Sequence, residues 1–201
     1  MRIQRWVLAS SNQGKLREFR ALLGSDELEI LPQSELGIEP AVESAATFIE
    51  NALLKARHAS RLAQCAAIAD DSGLAVDALG GAPGVYSARY AGEGSRDQDN
   101  IAKLLQELKH VPDAERGARF HCAIVALDHP DDPAPRVACG EWVGRIATAP
   151  RGTRGFGYDP VFIDPHSSAT AAELSLQDKN RLSHRAQALE RLREILRHAK
   201  R

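Results

Sequence analysis

Trp6-Val7-Leu8-Ala9 is an uninterrupted apolar run of strand length that breaks into Ser10-Ser11-Asn12 and then into Leu16, Phe19, Leu22 and Leu23 at helical spacing. A strand, a tight polar turn and a helix therefore open the chain. Leu28 to Leu31 reads as a second strand ended by Pro32, and Thr47 with Glu50 has capping-box spacing ahead of a long helix with Phe48, Ala52, Ala56, Ala59 and Leu62 along one side. Ala66 to Ala69 is a short strand that stops abruptly at Asp70-Asp71-Ser72-Gly73, before another strand-like piece, Leu74 to Leu79. Asp97 is placed to cap a helix carrying Ile101, Leu104, Leu105 and Leu108. Two strands, around Phe120 to Leu127 and Val137 to Ala147, flank the turn residues Asp131, Asp132, Pro133 and Pro135 and pair as a hairpin. Ala169 to Leu174 reads as a helical turn, and Ser183 caps a last amphipathic helix with Leu189, Leu192, Ile195 and Leu196 inside. Strand and helix alternation combined with a hairpin gives an α/β fold around a mixed β-sheet with flanking helices. At 201 residues, without a repeat or a long linker, residues 1–201 are read as a single domain.

Bulk charge narrows the partners. Lys and Arg total 26 against 27 Asp and Glu, for a net charge of -1, so the whole-chain field favours neither a nucleic acid duplex nor an acidic membrane. Any nucleotide must be gripped by local charge. The apolar stretches fall far short of the roughly 18 to 20 residues of a membrane span, and the first strand follows without a signal-peptide pattern, which reads as cytoplasmic. Cys65, Cys122 and Cys139 are odd in number and widely spaced among apolar neighbours, so they read as small core residues rather than as disulfides or a metal site.

Four segments carry chemistry. Ser10-Ser11-Asn12-Gln13-Gly14-Lys15 is a strand-to-helix turn with hydroxyls, a glycine and a lysine, suited to phosphate at a helix start, although it lacks the Walker A spacing; a plain N-cap accounts for it equally well. The acidic residues Glu43, Glu50, Asp70, Asp71 and Asp77 supply the hard oxygens that Mg2+ takes, with Asp70-Asp71 as nucleus. Neighbours on an extended segment face opposite ways, so one of that pair enters a given site; a solvated turn is the alternative, and Glu50 has its own account in the capping box. Gly155-Phe156-Gly157-Tyr158-Asp159-Pro160 holds an aromatic between glycines, an arrangement that suits base stacking or, alternatively, a core-plugging turn. Lys179 with Ser183-His184-Arg185 puts cations at a helix start against the macrodipole, either as a functional demand or as a solvated face.

Taken in order, six segments resemble the inosine triphosphate pyrophosphatase family, in particular the bacterial dITP/XTP pyrophosphatases. They are Ser10 to Lys15, Thr47-Phe48-Ile49-Glu50-Asn51-Ala52 with Lys55-Ala56, Ala69 to Leu74, Gly81-Ala82-Pro83-Gly84 with Ser87-Ala88-Arg89-Tyr90, Gly155 to Pro160, and Ser183-His184-Arg185. The likeness spans nearly the whole chain. It implies an elongated protein with two lobes around a central nucleotide cleft, generally a homodimer. It also implies that Ser10, Ser11, Asn12, Gln13, Gly14 and Lys15 hold the triphosphate, that Asp71 is the catalytic carboxylate and a Mg2+ ligand, and that Ser72 contacts substrate. Phe156, Gly157, Tyr158, Asp159, Lys179, His184 and Arg185 would then form the nucleoside side. Glu43 matches the family's other acidic position as a second metal contributor, but the family's Glu-Thr-Gly is here Glu43-Ser44-Ala45.

The implied reaction converts purine nucleoside triphosphates such as ITP, dITP and XTP to monophosphate and pyrophosphate by attack of water on the α-phosphorus. Donors such as His184 or Arg185 would favour a 6-oxo purine over adenine. Two rivals share the same parts: a Mg2+ phosphohydrolase for ordinary nucleotides or other phosphoesters, and a nucleotide-sensing module that grips phosphate and base without turnover.

Overall fold

The computed structural model describes residues 4–10, 12–23 and 28–199. Strands β1 (Gln4–Leu8), β2 (Leu28–Pro32), β3 (Ala66–Val76), β4 (Gly117–Leu127), β5 (Arg136–Ile146) and β6 (Phe162–Ile163) form one sheet in the order β2-β1-β3-β4-β5-β6. β1 runs parallel to β2, with Trp6 opposite Ile30, and parallel to β3, with Leu8 opposite Ile68. β5 and β6 are antiparallel, with Ile146 opposite Phe162, so the sheet is mixed as the element order requires. The helices are α1 (Gln13–Leu23), α2 (Phe48–Ala63), α3 (Asp97–Glu107), α4 (Leu176–Leu182) and α5 (His184–Ala199). No helix among the described residues is long and apolar enough to cross a membrane.

The chain divides into two compact units, Met1–Asp71 with Cys122–Gly140 and Arg185–Arg201, and Ser72–His121 with Glu141–His184. In the first unit the apolar run of β1 is explained by burial on both faces. Trp6 and Leu8 pack with Leu16, Phe19, Leu189 and Leu192 of α1 and α5, whereas Val7 and Ala9 pack with Ala52, Ala56 and Ala59 of α2. Alternate residues of a strand point to opposite faces, so β1 feeds two cores at once. The α2 stripe continues into Ala63 rather than Leu62, which is 56% exposed. In the second unit Leu74, Val76, Leu104, Phe120, Trp142, Tyr158 and Phe162 share one core, and the buried Arg116 guanidinium donates to the carbonyls of Leu108 (2.7 Å), Val111 (3.1 Å) and Ala147 (3.3 Å).

Several local expectations are corrected. β3 does not stop at Asp70 but runs unbroken from Ala66 to Val76, because the charges that argued for a turn are met by partners distant in sequence. Arg96, not Asp97, is the N-cap of α3: its N–H donates to Asp99 Oδ2 at 3.1 Å, and Asp97 is the first helical residue. Ala169 to Leu174 makes a β-turn closed by Glu173 N–H on the Thr170 carbonyl at 2.9 Å, and a helix that periodicity missed, α4, follows it with Ser175 as N-cap. Of the cysteines, only Cys122 is buried; Cys65 is half-buried, and Cys139 is exposed because it falls on the outward register of β5.

Candidate active site

The first unit gathers charge around β3. At the start of α1, Asn12 acts as the cap: its Oδ1 accepts from Gly14 N–H (2.8 Å) and Lys15 N–H (3.1 Å), while its own N–H donates to Ser10 Oγ (3.2 Å). Two of the helix's leading amide donors are thereby satisfied by a side chain of the same loop. Ser11 and the side chain of Gln13 lie outside the described residues. Lys15 reaches the strand, where its Nζ stands 3.0 Å from Asp70 Oδ2.

Asp70 and Asp71 alternate as strand neighbours must. Asp70 is 1% exposed and meets Lys15 and the Nε of Arg185 (3.1 Å), whose Nη1 donates to Glu18 at 2.7 Å. Asp71 meets α2 instead. Its Oδ1 accepts from Lys55 Nζ at 2.7 Å and its Oδ2 from Asn51 Nδ2 at 3.3 Å, and the same Lys55 ammonium reaches Glu43 Oε1 at 2.8 Å. Asp71 and Glu43 therefore aim oxygens at one cationic point. Lys15 and Asp71 belong to one cluster, joined through Asp70 and its neighbour on β3.

The second unit holds the aromatic segment. Asp159 Oδ2 accepts from Phe156 N–H at 2.8 Å and from Lys179 Nζ at 2.5 Å, and the lysine stands 4.9 Å from the centroid of the Phe156 ring. Glycine suits position 155, since at φ +80° a Cβ would fall 1.9 Å from the Asp159 carboxylate and force it to move. Gly157 N–H donates to Asp97 Oδ2 at 2.6 Å. Tyr158 points into the core and donates its hydroxyl to the Ser87 carbonyl at 2.8 Å, so it fixes the loop from below. His184 lies flat on Phe120, with centroids 4.7 Å apart and planes at 12°. Ser72 follows Asp71 on β3 and is half-buried.

Residues 6–195 match the Ham1 family. The chain belongs to that family. A dITP/XTP pyrophosphatase from Shigella flexneri is 56% identical over 195 residues, covering 97% of this chain and 99% of the relative. A dITP/XTP pyrophosphatase from Yersinia pestis is 55% identical over 197 residues, covering 98% and 100%. The solved structure of a HAM1 protein from Coxiella burnetii superposes with a TM-score of 0.91 at 47% identity, covering 98% of this chain and 100% of that one. The resemblance carried by the six sequence segments and the Ham1 match thus agree.

Electrostatics separates the paired aspartates of this Ham1 chain. Burial works against ionising Asp70, but Lys15, Arg185 and Lys55 outweigh it and hold the carboxyl well below the usual carboxylate range. For Asp71 burial dominates and pushes the carboxyl up; Lys55 opposes this, and Glu43 adds to it. Burial also works against the Lys55 charge, yet Asp71, Asp70 and Glu43 together keep it firmly protonated. Asp70 is held as an anion inside an ion cluster, whereas burial shifts the Asp71 carboxyl the other way, towards keeping its proton. Asn51, Lys55 and Glu18 were not singled out for a role from sequence. The usable signal was on α2, where Asn51 and Lys55, one turn apart, run alongside the buried Ala52 and Ala56 and are buried themselves.

Among the described residues no group of three His, Cys, Asp or Glu side chains gathers as a ready metal cage. The donor set nevertheless suits Mg2+, which takes one or two carboxylates and completes its shell with water and substrate phosphate. Asp71 and Glu43 are hard-oxygen donors already converging on one positive charge.

Proposed function

We propose that this Ham1 chain is a nucleoside triphosphate pyrophosphohydrolase that converts aberrant purine nucleotides, ITP, dITP and XTP, to the monophosphate and pyrophosphate and so removes them from the nucleotide pool. The observation that carries the reading is Asp71, a buried carboxylate with a raised pKa and an oxygen on Lys55, in a chain 56% identical to a dITP/XTP pyrophosphatase.

In the proposed reaction a water oxygen forms a bond to the α-phosphorus, the bond from that phosphorus to the α–β bridging oxygen breaks, and pyrophosphate leaves. Asp71 orients the water and takes its proton. Lys15, with Ser10, Asn12 and Gly14, is assigned to the negative charge that spreads over the phosphate oxygens. Asp71 and Glu43 would hold Mg2+, which supplies charge neutralisation when bound. On the nucleoside side Phe156 offers a stacking face, and Asp159 sets the position of Lys179. Arg185 Nε and Nη1 are engaged by Asp70 and Glu18, so the reading gives the 6-oxo group of the base to His184 as donor. A purine with a 6-amino group would leave such a donor unpaired, at a cost of about 1 to 3 kcal/mol.

Turnover of ITP, dITP, XTP, GTP and ATP with and without Mg2+, with the phosphate product identified, tests the reading. Pyrophosphate release that needs Mg2+ and favours the first three substrates is the expected result. Orthophosphate as product, or equal kcat/KM for all five, overturns it. The family resemblance also assigns a cytoplasmic homodimer, which sedimentation of the purified protein checks for mass.

A further inference from the structure

Asn51 is 1% exposed, and every hydrogen of its carboxamide is used. Its Oδ1 accepts from Ala45 N–H at 3.0 Å, and its Nδ2 donates to the Ala45 carbonyl and to Asp71 Oδ2, each at 3.3 Å. One side chain therefore clasps a loop backbone by both of its polar groups and touches the proposed catalytic carboxylate. Lys55, one helical turn on, takes the other oxygen of the same carboxylate. Asp71 is thus gripped at Oδ2 by a neutral amide and at Oδ1 by a cation, which fixes the plane of the carboxylate and not merely its place. Ala45 lies two residues after Glu43, whose carboxylate shares Lys55 with Asp71. The family's glycine is an alanine here, and the clasp on its backbone sets the path of the loop.

We propose that Asn51 is a positioning residue for turnover: its amide holds the Asp71 carboxylate in the working plane while tethering the loop that carries Glu43. This rests on the reading of Asp71 as the carboxylate that handles the attacking water. Asparagine suits the post because one planar group donates twice and accepts once. Aspartate would keep the bond from Ala45 N–H but lose both donors and set a second carboxylate against Asp71.

The test is steady-state kinetics of full-length Asn51→Asp and Asn51→Ala on ITP, with wild type and Asp71→Asn alongside and thermal unfolding of each. The expected result is a loss in kcat of about tenfold to a hundredfold in a folded variant, with KM for ITP within about threefold, because the base and phosphate grips lie elsewhere. A crystal structure of that variant is expected to show the Asp71 carboxylate rotated from its original plane. The inference is overturned by a smaller loss of kcat, by a change confined to KM, by an unmoved Asp71 in a slowed variant, or by failure of both variants to fold. Its failure is separable from failure of the functional reading: an inactive wild type refutes the function, whereas active Asn51 variants beside an inactive Asp71→Asn refute only the positioning role.

Discussion

Lys55 Nζ lies 2.7 Å from Asp71 Oδ1, and both side chains are at least nine-tenths buried. A buried ion pair adds little over an apolar pair of the same shape, but removing one partner strands the other. Lys55→Met is therefore expected to lower unfolding stability by about 3 to 5 kcal/mol in urea denaturation. If Asp71 and Glu43 hold a divalent cation, Mg2+ should restore more stability to Lys55→Met than to wild type, because it takes over the missing positive charge. Equal Mg2+ effects on the two proteins would count against those two carboxylates as ligands.

The neighbouring aspartates should separate on substitution. Asp71→Asn keeps the shape at the strand and leaves Lys55 paired with Glu43, so it is expected to cost less stability than Asp70→Asn while kcat falls by orders of magnitude. Asp70→Asn removes the anion that Lys15 and Arg185 share, and is expected to cost about 3 to 5 kcal/mol in stability. Parallel denaturation and turnover measurements on the two variants check this, and interchanged outcomes would exchange their roles.

Gly155→Ala brings two costs together. A side chain at φ +80° costs about 1 to 2 kcal/mol in backbone strain, and the new Cβ collides with Asp159 Oδ2. Displacing that carboxylate releases Lys179 and the Phe156 amide from their common acceptor. The expected signature is a raised KM for ITP with kcat changed far less, since this loop is assigned to the nucleoside and not to the attacking water.

Acid stability has an identifiable contributor in Asp164. Burial opposes its charge, but the Trp142 indole N–H (3.0 Å) and the Ser167 backbone N–H and hydroxyl (2.9 Å each) outweigh burial and hold its pKa below the usual value. A folded pKa below the unfolded one, about 3.9 for Asp, stabilises the fold in full above that pH, and the benefit is lost as pH falls from there through the folded value. Asp164→Asn should be less stable than wild type at pH 7 by about 1 to 3 kcal/mol, with the gap closing as pH drops below about 4. Far-UV circular dichroism follows the transition. A constant gap down to acid pH would remove Asp164 from this role.

The strand and helix order was legible because hydrophobic periodicity is local, and β1, α1, α2, α3, β4, β5 and α5 lie close to their sequence-based positions. The site was less legible. Asp70-Asp71-Ser72-Gly73 reads as a turn because two adjacent carboxylates have no local reason to be buried; the reason stands 115 positions away in Arg185 and on two different helices in Lys15 and Lys55. Tyr158 stands in a segment that read either as a base-stacking loop or as a core-plugging turn, and only the fold reveals the Ser87 carbonyl that takes its hydroxyl. Asn51 stood in a recognised segment without an assigned task, because neither Ala45 nor Asp71 is predictable as its neighbour from helical spacing alone.

The alanine stripe of α2 has a reach beyond packing. Ala52 and Ala56 are wholly buried, and Asn51 and Lys55 occupy the positions just before them. Side chains this small let a helix settle deep onto its support, and that depth is what allows an asparagine, with its short stem, to touch a strand carboxylate at all. A single added methyl on the hidden row would lift the polar row by a fraction of an ångström and slacken its hold. If Asn51 positions Asp71 as proposed, the tempo of the reaction is tuned by hydrocarbon that never meets a nucleotide.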